Sequence, residues 1–165
     1  MSYKIKRIIV ALISGVLILI AYSAYAVGKV NSGAASLDDT RFWATTILAA
    51  IGIAIVAMIV IQIVFHIVLS IAAAVDEQIK TGQCDDKKVE RNIELEMVED
   101  EMDKMIELKA TKIGFTIVGI GFVAALGTMA LGGQTGVMLN IMFGSFAVGS
   151  MIEAIAQIYY YGKGI

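Results

Sequence analysis

Apolar residues run from Ile8 to Val27, from Phe42 to Val75, from Ile113 to Leu131 and from Val137 to Tyr161, and the single charged side chain within them is Glu153. At about 1.5 Å per residue each run is long enough, at roughly 20 residues, to cross a bilayer as a helix. The pattern predicts four spans, about 8–27, 42–68, 113–131 and 137–161. The second run is long enough to cross and protrude, and its helix is expected to continue to about Lys80, where Thr81 and Gly82 break it.

The connections order these spans into two antiparallel hairpins. Gly28 to Arg41 is small and polar, with Asn31–Ser32–Gly33 as a turn signal and Asp38 or Asp39 placed to cap the second helix. Gly132 to Gly136 is so short that spans three and four must be antiparallel neighbours. Between the hairpins lies a charged segment, about 76–112. Asp85 and Asp86 suit a helix start, and no Gly or Pro interrupts the chain from there to Lys112. The expected fold is therefore an all-α integral-membrane four-helix bundle, a single membrane domain with a cytoplasmic helical extension between spans two and three. In that extension Val98, Met102, Met105 and Ile106, with Ile93 and Met97, recur at helical spacing. Glu96, Asp100, Asp103 and Glu107 line another side. This predicts a solvated acidic face and an apolar stripe that packs on the upstream hairpin or on a second copy. A divalent cation would need several carboxylates, but the spacing fits no known binding loop, so no metal is expected.

Composition agrees: 58% of the 165 residues are hydrophobic, and the mean hydropathy is +0.80, where a soluble domain is about 45–50% apolar. The basic residues then set orientation. Lys4, Lys6 and Arg7 precede span one, seven Lys or Arg from Lys80 to Lys112 lie between spans two and three, and Lys163 follows span four. Lys29 and Arg41 alone occupy the first outer loop, so the positive-inside rule places both termini in the cytoplasm of a cell with its inner membrane as host. Tyr22, Tyr25, Phe42, Trp43 and Tyr159 to Tyr161 stand near span ends and are expected as interface anchors. The first run has a basic front and an Ala24–Tyr25–Ala26 sequence, but it exceeds the roughly 7–15 residues of a signal core and reads as a retained span. The chain has no Pro, which speaks for unbroken helices and against the discontinuous ones common in transporters.

Glu153 asks for an explanation, because a charged carboxylate facing lipid costs several kcal/mol. It shares a four-residue stripe with Ser145, Gly149 and Gln157. Gln62 and His66 share a face of span two. Counted from the outer ends, Gln62 and Gln157 are both about 30 Å deep and Glu153 about 24 Å. An intramembrane cluster of Glu153, Gln157, His66 and Gln62 is therefore expected. It ties helices together by hydrogen bonds or anchors them at the interface, serves as an ion or proton site, or contacts a ligand or lipid. Gly114, Gly121 and Ala125 put small residues on one face of span three, which with Ser145 and Gly149 predicts close helix packing. Catalytic apparatus is missing: His66 is the one histidine, Cys84 the one cysteine, and no phosphate loop, nucleophile elbow or Cys-x-x-Cys is present. No cofactor is implied. Acids outnumber bases in the middle segment, which argues against nucleic acid.

The stretch Asp100–Glu101–Met102–Asp103–Lys104–Met105–Ile106–Glu107–Leu108–Lys109–Ala110 resembles the D-E-R-D-x-x-I-x-x-K-A stretch of a broad group of small, uncharacterised prokaryotic membrane proteins, where it also precedes the third span. The ending Tyr160–Tyr161–Gly162–Lys163–Gly164 is similar to theirs, and Met102 stands where the group has arginine. The resemblance implies four-span topology and a cytoplasmic acidic helix, with no activity attached. The expected function is non-enzymatic: an oligomeric scaffold, accessory or regulatory subunit working through helix contacts with its own copies or another membrane protein. The alternative is an ion channel or proton/cation transporter using the Glu153/His66 region.

Overall fold

The computed structural model describes residues 3–81 and 100–164. Four helices follow one another: α1 Tyr3–Asn31, α2 Thr40–Thr81, α3 Glu101–Ala130 and α4 Thr135–Lys163. All four are long and apolar enough to cross a membrane. Cys84, Asp85, Asp86, Ile93, Glu96, Met97 and Val98 lie outside the described residues.

Four of the helix ends have a clear local cause. α1 stops where Gly33 takes a left-handed φ of 70°, and the Ser32 N–H closes on the Gly28 carbonyl at 3.1 Å. Asp39 caps α2, its Oδ1 accepting the Phe42 N–H at 2.9 Å. At the start of α3 the Asp100 carboxylate accepts the Asp103 N–H at 2.7 Å, and Asp103 accepts the Asp100 N–H at 2.9 Å. This reciprocal pair satisfies two donors that a helix start would otherwise leave orphaned. It also corrects the expected continuous helix from Asp85 to Lys112: Asp100 is extended, with φ −93° and ψ 175°, and α3 begins after it. Gly164, left-handed at φ 67°, closes α4 by donating to the Tyr160 carbonyl at 3.0 Å.

Among the described residues α4 packs against each of the other helices, α1 also touches α2, and α3 rests on α4. Both described termini share one end of the bundle, here the terminal end; the two short connections share the other, the turn end. The α3/α4 pair is the tightest. Asp103, Ile106, Ala110, Gly114 and Ala125 are its buried positions on α3, spaced three or four apart or a whole number of such steps, as one helix face requires. That spacing divides the described part of the expected apolar stripe, of which Ile106 is fully buried. Met102 and Met105 are 41% and 53% exposed, while Asp103 is buried. α3 is one continuous helix, so the face chosen by Gly114 and Ala125 further along fixes which side of its first turns points inward.

α2 makes the opposite impression. Ile51, Ile55, Ile59, Ile63 and Ile67 are exposed, as are Val56, Val60, Val64 and Val68 on its other sides. This helix is long and apolar enough to cross a membrane, and none of its most apolar window is buried among the described residues. At the turn end one expected anchor is interior and a second, half-buried, is bonded to a neighbouring helix. Trp43 is 1% exposed, and Tyr22 donates its hydroxyl to Asn140 Oδ1 at 2.7 Å across α1 and α4.

Candidate functional site

The α3/α4 seam is made by small residues. A Cβ added at Gly114 would lie 2.9 Å from the Gly149 carbonyl, and one added at Gly149 would lie 2.9 Å from the Gly114 carbonyl. Gly121 leaves room for Ser145 in the same way, its added Cβ meeting the Ser145 hydroxyl at 2.5 Å. Ala125 is fully buried on the same face of α3. Small residues let two backbones approach this closely, and polar groups beside them then find partners across the contact.

Glu153 is that polar group. Its Oε1 accepts the Thr111 hydroxyl of α3 at 2.7 Å and a long 3.5 Å contact from Gln157 Nε2. Gly114 makes the reach possible, because a side chain there would sit 3.1 Å from Glu153 Oε2.

About two turns beyond, at the terminal end, three elements meet on Asp103. Lys4 of α1 forms an ion pair with its Oδ2. The Tyr161 hydroxyl of α4 donates to its Oδ1 at 2.8 Å, and Asp100 N–H supplies the capping bond. Asp103 stands before the uncharged length of α3 that begins at Ile113. Burial pushes its carboxyl up, but the bonds from Lys4, the Asp100 backbone and Tyr161 outweigh that and hold it down to about 2. A carboxyl lowered from its ordinary value stabilises the fold above that value and loses the contribution as pH falls through about 2. The shift corresponds to about 2 kcal/mol. Asp103→Asn is expected to destabilise the detergent-solubilised chain by about that amount near pH 7. The gap to the parent should close as pH falls toward about 2. A gap that stays constant down to that pH would refute the clasp.

The stretch Asp100 to Ala110 falls on this corner. Asp100 caps, Asp103 pairs, Ile106 and Ala110 are fully buried, and Lys109 Nζ lies 6.0 Å from the Tyr160 ring.

A cleft of about 530 Å³ opens here, lined by the terminal halves of α1, α3 and α4 with Met58 and Gln62 of α2. Both signs of charge line it: Lys4 and Arg7, against Asp103, Glu107 and Glu153. Gln157 and Tyr161 add hydrogen-bonding groups. Of the expected intramembrane cluster, Glu153, Gln157 and Gln62 therefore share one cleft, and His66 is not part of its lining. His66 is half-buried on α2, and its carbonyl accepts the Ser70 hydroxyl at 2.9 Å. Of the acidic face, Asp100 caps, Asp103 points inward and Glu107 lines the cleft. Lys4, Arg7, Thr111 and Tyr161 were not legible as site residues. Lys4 and Arg7 read as topology signals and Tyr161 as an anchor; Thr111, one turn before Gly114, was the single spacing clue. The cleft supplies ion-pairing and hydrogen-bonding groups. Among the described residues no three His, Cys, Asp or Glu side chains are grouped to hold a metal ion.

Searches against protein-family models, curated proteins and solved structures find no match to the chain.

Proposed function

We propose that the chain is a four-span inner-membrane protein that acts through helix contacts and performs no catalysis. It serves as an oligomeric scaffold, or as an accessory or regulatory subunit of another membrane system. Both termini and the charged stretch between α2 and α3 face the cytoplasm, following the distribution of Lys and Arg. The observation that carries this reading is the Thr111–Glu153 bond at 2.7 Å. It gives the one acidic residue of α4 a partner on the neighbouring helix, in the manner of polar glue between membrane helices.

Glu153→Gln tests it. Glutamine keeps an acceptor for Thr111, so the variant should stay within about 1 kcal/mol of the parent in stability and keep its oligomeric state. Proteoliposomes of the parent should show no proton or alkali-cation flux across about pH 4 to 8, the range where carboxylates and histidine titrate.

The polar cleft favours a second reading, a proton or cation path with Glu153 in its wall. That reading requires pH-dependent flux in the parent, lost in Glu153→Gln. Observation of both would displace the contact-based function.

A further inference from the structure

The polar cleft does not end inside the bundle. Gly15, Met58, Ser150 and Met151 line it and also line a second groove of about 660 Å³ between α1, α2 and α4. The second groove is apolar, walled by side chains such as Ile18, Leu19, Ile47, Leu139 and Phe143. Each volume is within the roughly 300–1,000 Å³ of ligand sites. Together they form one trough, ionic at the terminal end and oily beyond a four-residue neck. Arg7 and the neck residue Gly15 are about 12 Å apart along α1, so the ionic part begins near headgroup level and the oily part lies at acyl-chain depth.

We propose that this trough holds one membrane phospholipid with an ethanolamine head, its phosphate on Arg7, its ammonium on Glu107 and Glu153, and one acyl chain passing the neck into the apolar groove.

The charge inventory selects the head. Lys4 is committed to Asp103. Arg7 and Glu107 line the cleft and form no ion pair among the described residues. One cation and two carboxylates suit a zwitterion. A singly anionic head would satisfy Arg7 and confront both acids. A choline head carries its positive charge on a nitrogen with no N–H, whereas a primary ammonium brings three donors to the carboxylates and to Gln157. A second copy of the chain is the poorer occupant. The apolar groove walls offer a copy only apolar contact, and a rigid helix face does not reach from them through the neck to Arg7 and Glu107 as a flexible lipid does. This proposal stands apart from the contact-based function, since either can hold without the other.

Native mass spectrometry of the whole chain in mild detergent tests it, after equilibration with ethanolamine, glycerol or choline phospholipids of matched acyl chains. The parent should retain one ethanolamine lipid per chain, and more of it than of the other two. Arg7→Gln should lower the retained fraction about tenfold, the effect of one charge-assisted hydrogen bond. Gly15→Leu should lower it at least as much by plugging the neck. A Cβ at Gly15 meets nothing within 4 Å, and leucine is the better helix former, so this variant folds. Ile63→Val, on the exposed side of α2, should leave retention unchanged. Equal retention of the three lipids, retention indifferent to Gly15→Leu, or a lipid-free dimer would each overturn the proposal.

Discussion

Gly149→Leu is expected to pull α3 and α4 apart. A Cβ at Gly149 already meets the Gly114 carbonyl and Val118 Cγ2, each at 2.9 Å. The first of these is backbone, so no rotamer relieves it and one whole helix must move. Moving it lengthens the 2.7 Å Thr111–Glu153 bond and strips a carboxylate of its partner. Overpacking alone costs about 1–3 kcal/mol, and the lost bond to a charged group adds to that. A loss of about 3 kcal/mol corresponds to a fall of roughly 6–12 °C in melting temperature for a chain of this size. Gly144→Leu is the internal control: it lies on the same helix, and a Cβ there meets nothing within 4 Å. It should melt like the parent. Equal losses at the two sites would mean that helix propensity or micelle effects, and not the seam, set the response.

That contrast also marks what the chain discloses on its own. The lengths of the apolar runs located four helices, and the small residues at Gly114, Gly121, Ser145 and Gly149 are the ones that meet at the seam, because backbone approach depends on residue size and periodicity, both local properties. The inward turn of Asp103 is different. It depends on Lys4 and Tyr161, 99 and 58 residues away, and no local pattern signals partners at such separation. A hydropathy pattern assigns Asp103 to solvent and Met102 to the core; the packed helix does the reverse. Trp43 illustrates the same limit. At a span end an aromatic reads as a membrane-interface anchor, yet the cross-hairpin contact that buries it involves Gly136, which is nearly a hundred residues further on. His66 is the member of the expected cluster that does not line the cleft. Sharing a face with Gln62 brought it to about the right depth, but one further helical turn carried it past the cleft wall.

Trp43→Ala is expected to unlatch the two hairpins at the turn end. The indole Nε1–H donates to the Ser36 carbonyl at 2.9 Å, and the ring lies against Gly136, where an added Cβ would be 2.5 Å from its Nε1. Beside it the Gly136 N–H donates to the Leu37 carbonyl at 2.8 Å, and Gln134 Nε2 donates to Asp38 Oδ2 at 2.9 Å. The first loop is thus bonded to the second turn beside a close ring contact. Removing a fully buried tryptophan costs about 3–5 kcal/mol, because the cavity it leaves cannot collapse completely. Trp43→Phe retains most of the ring and loses the N–H bond, so about 1 kcal/mol is expected there. The four helices should persist in both variants, since the caps at Asp39, Asp100 and Gly164 do not involve the indole. The discriminating readout is hydrogen exchange at the Gly136 amide in detergent, which should accelerate strongly in Trp43→Ala and mildly in Trp43→Phe. Protection of that amide equal to the parent's in the alanine variant would show that the Gly136–Leu37 bond stands without the indole, and the latch would have to be assigned to the Gln134–Asp38 pair instead.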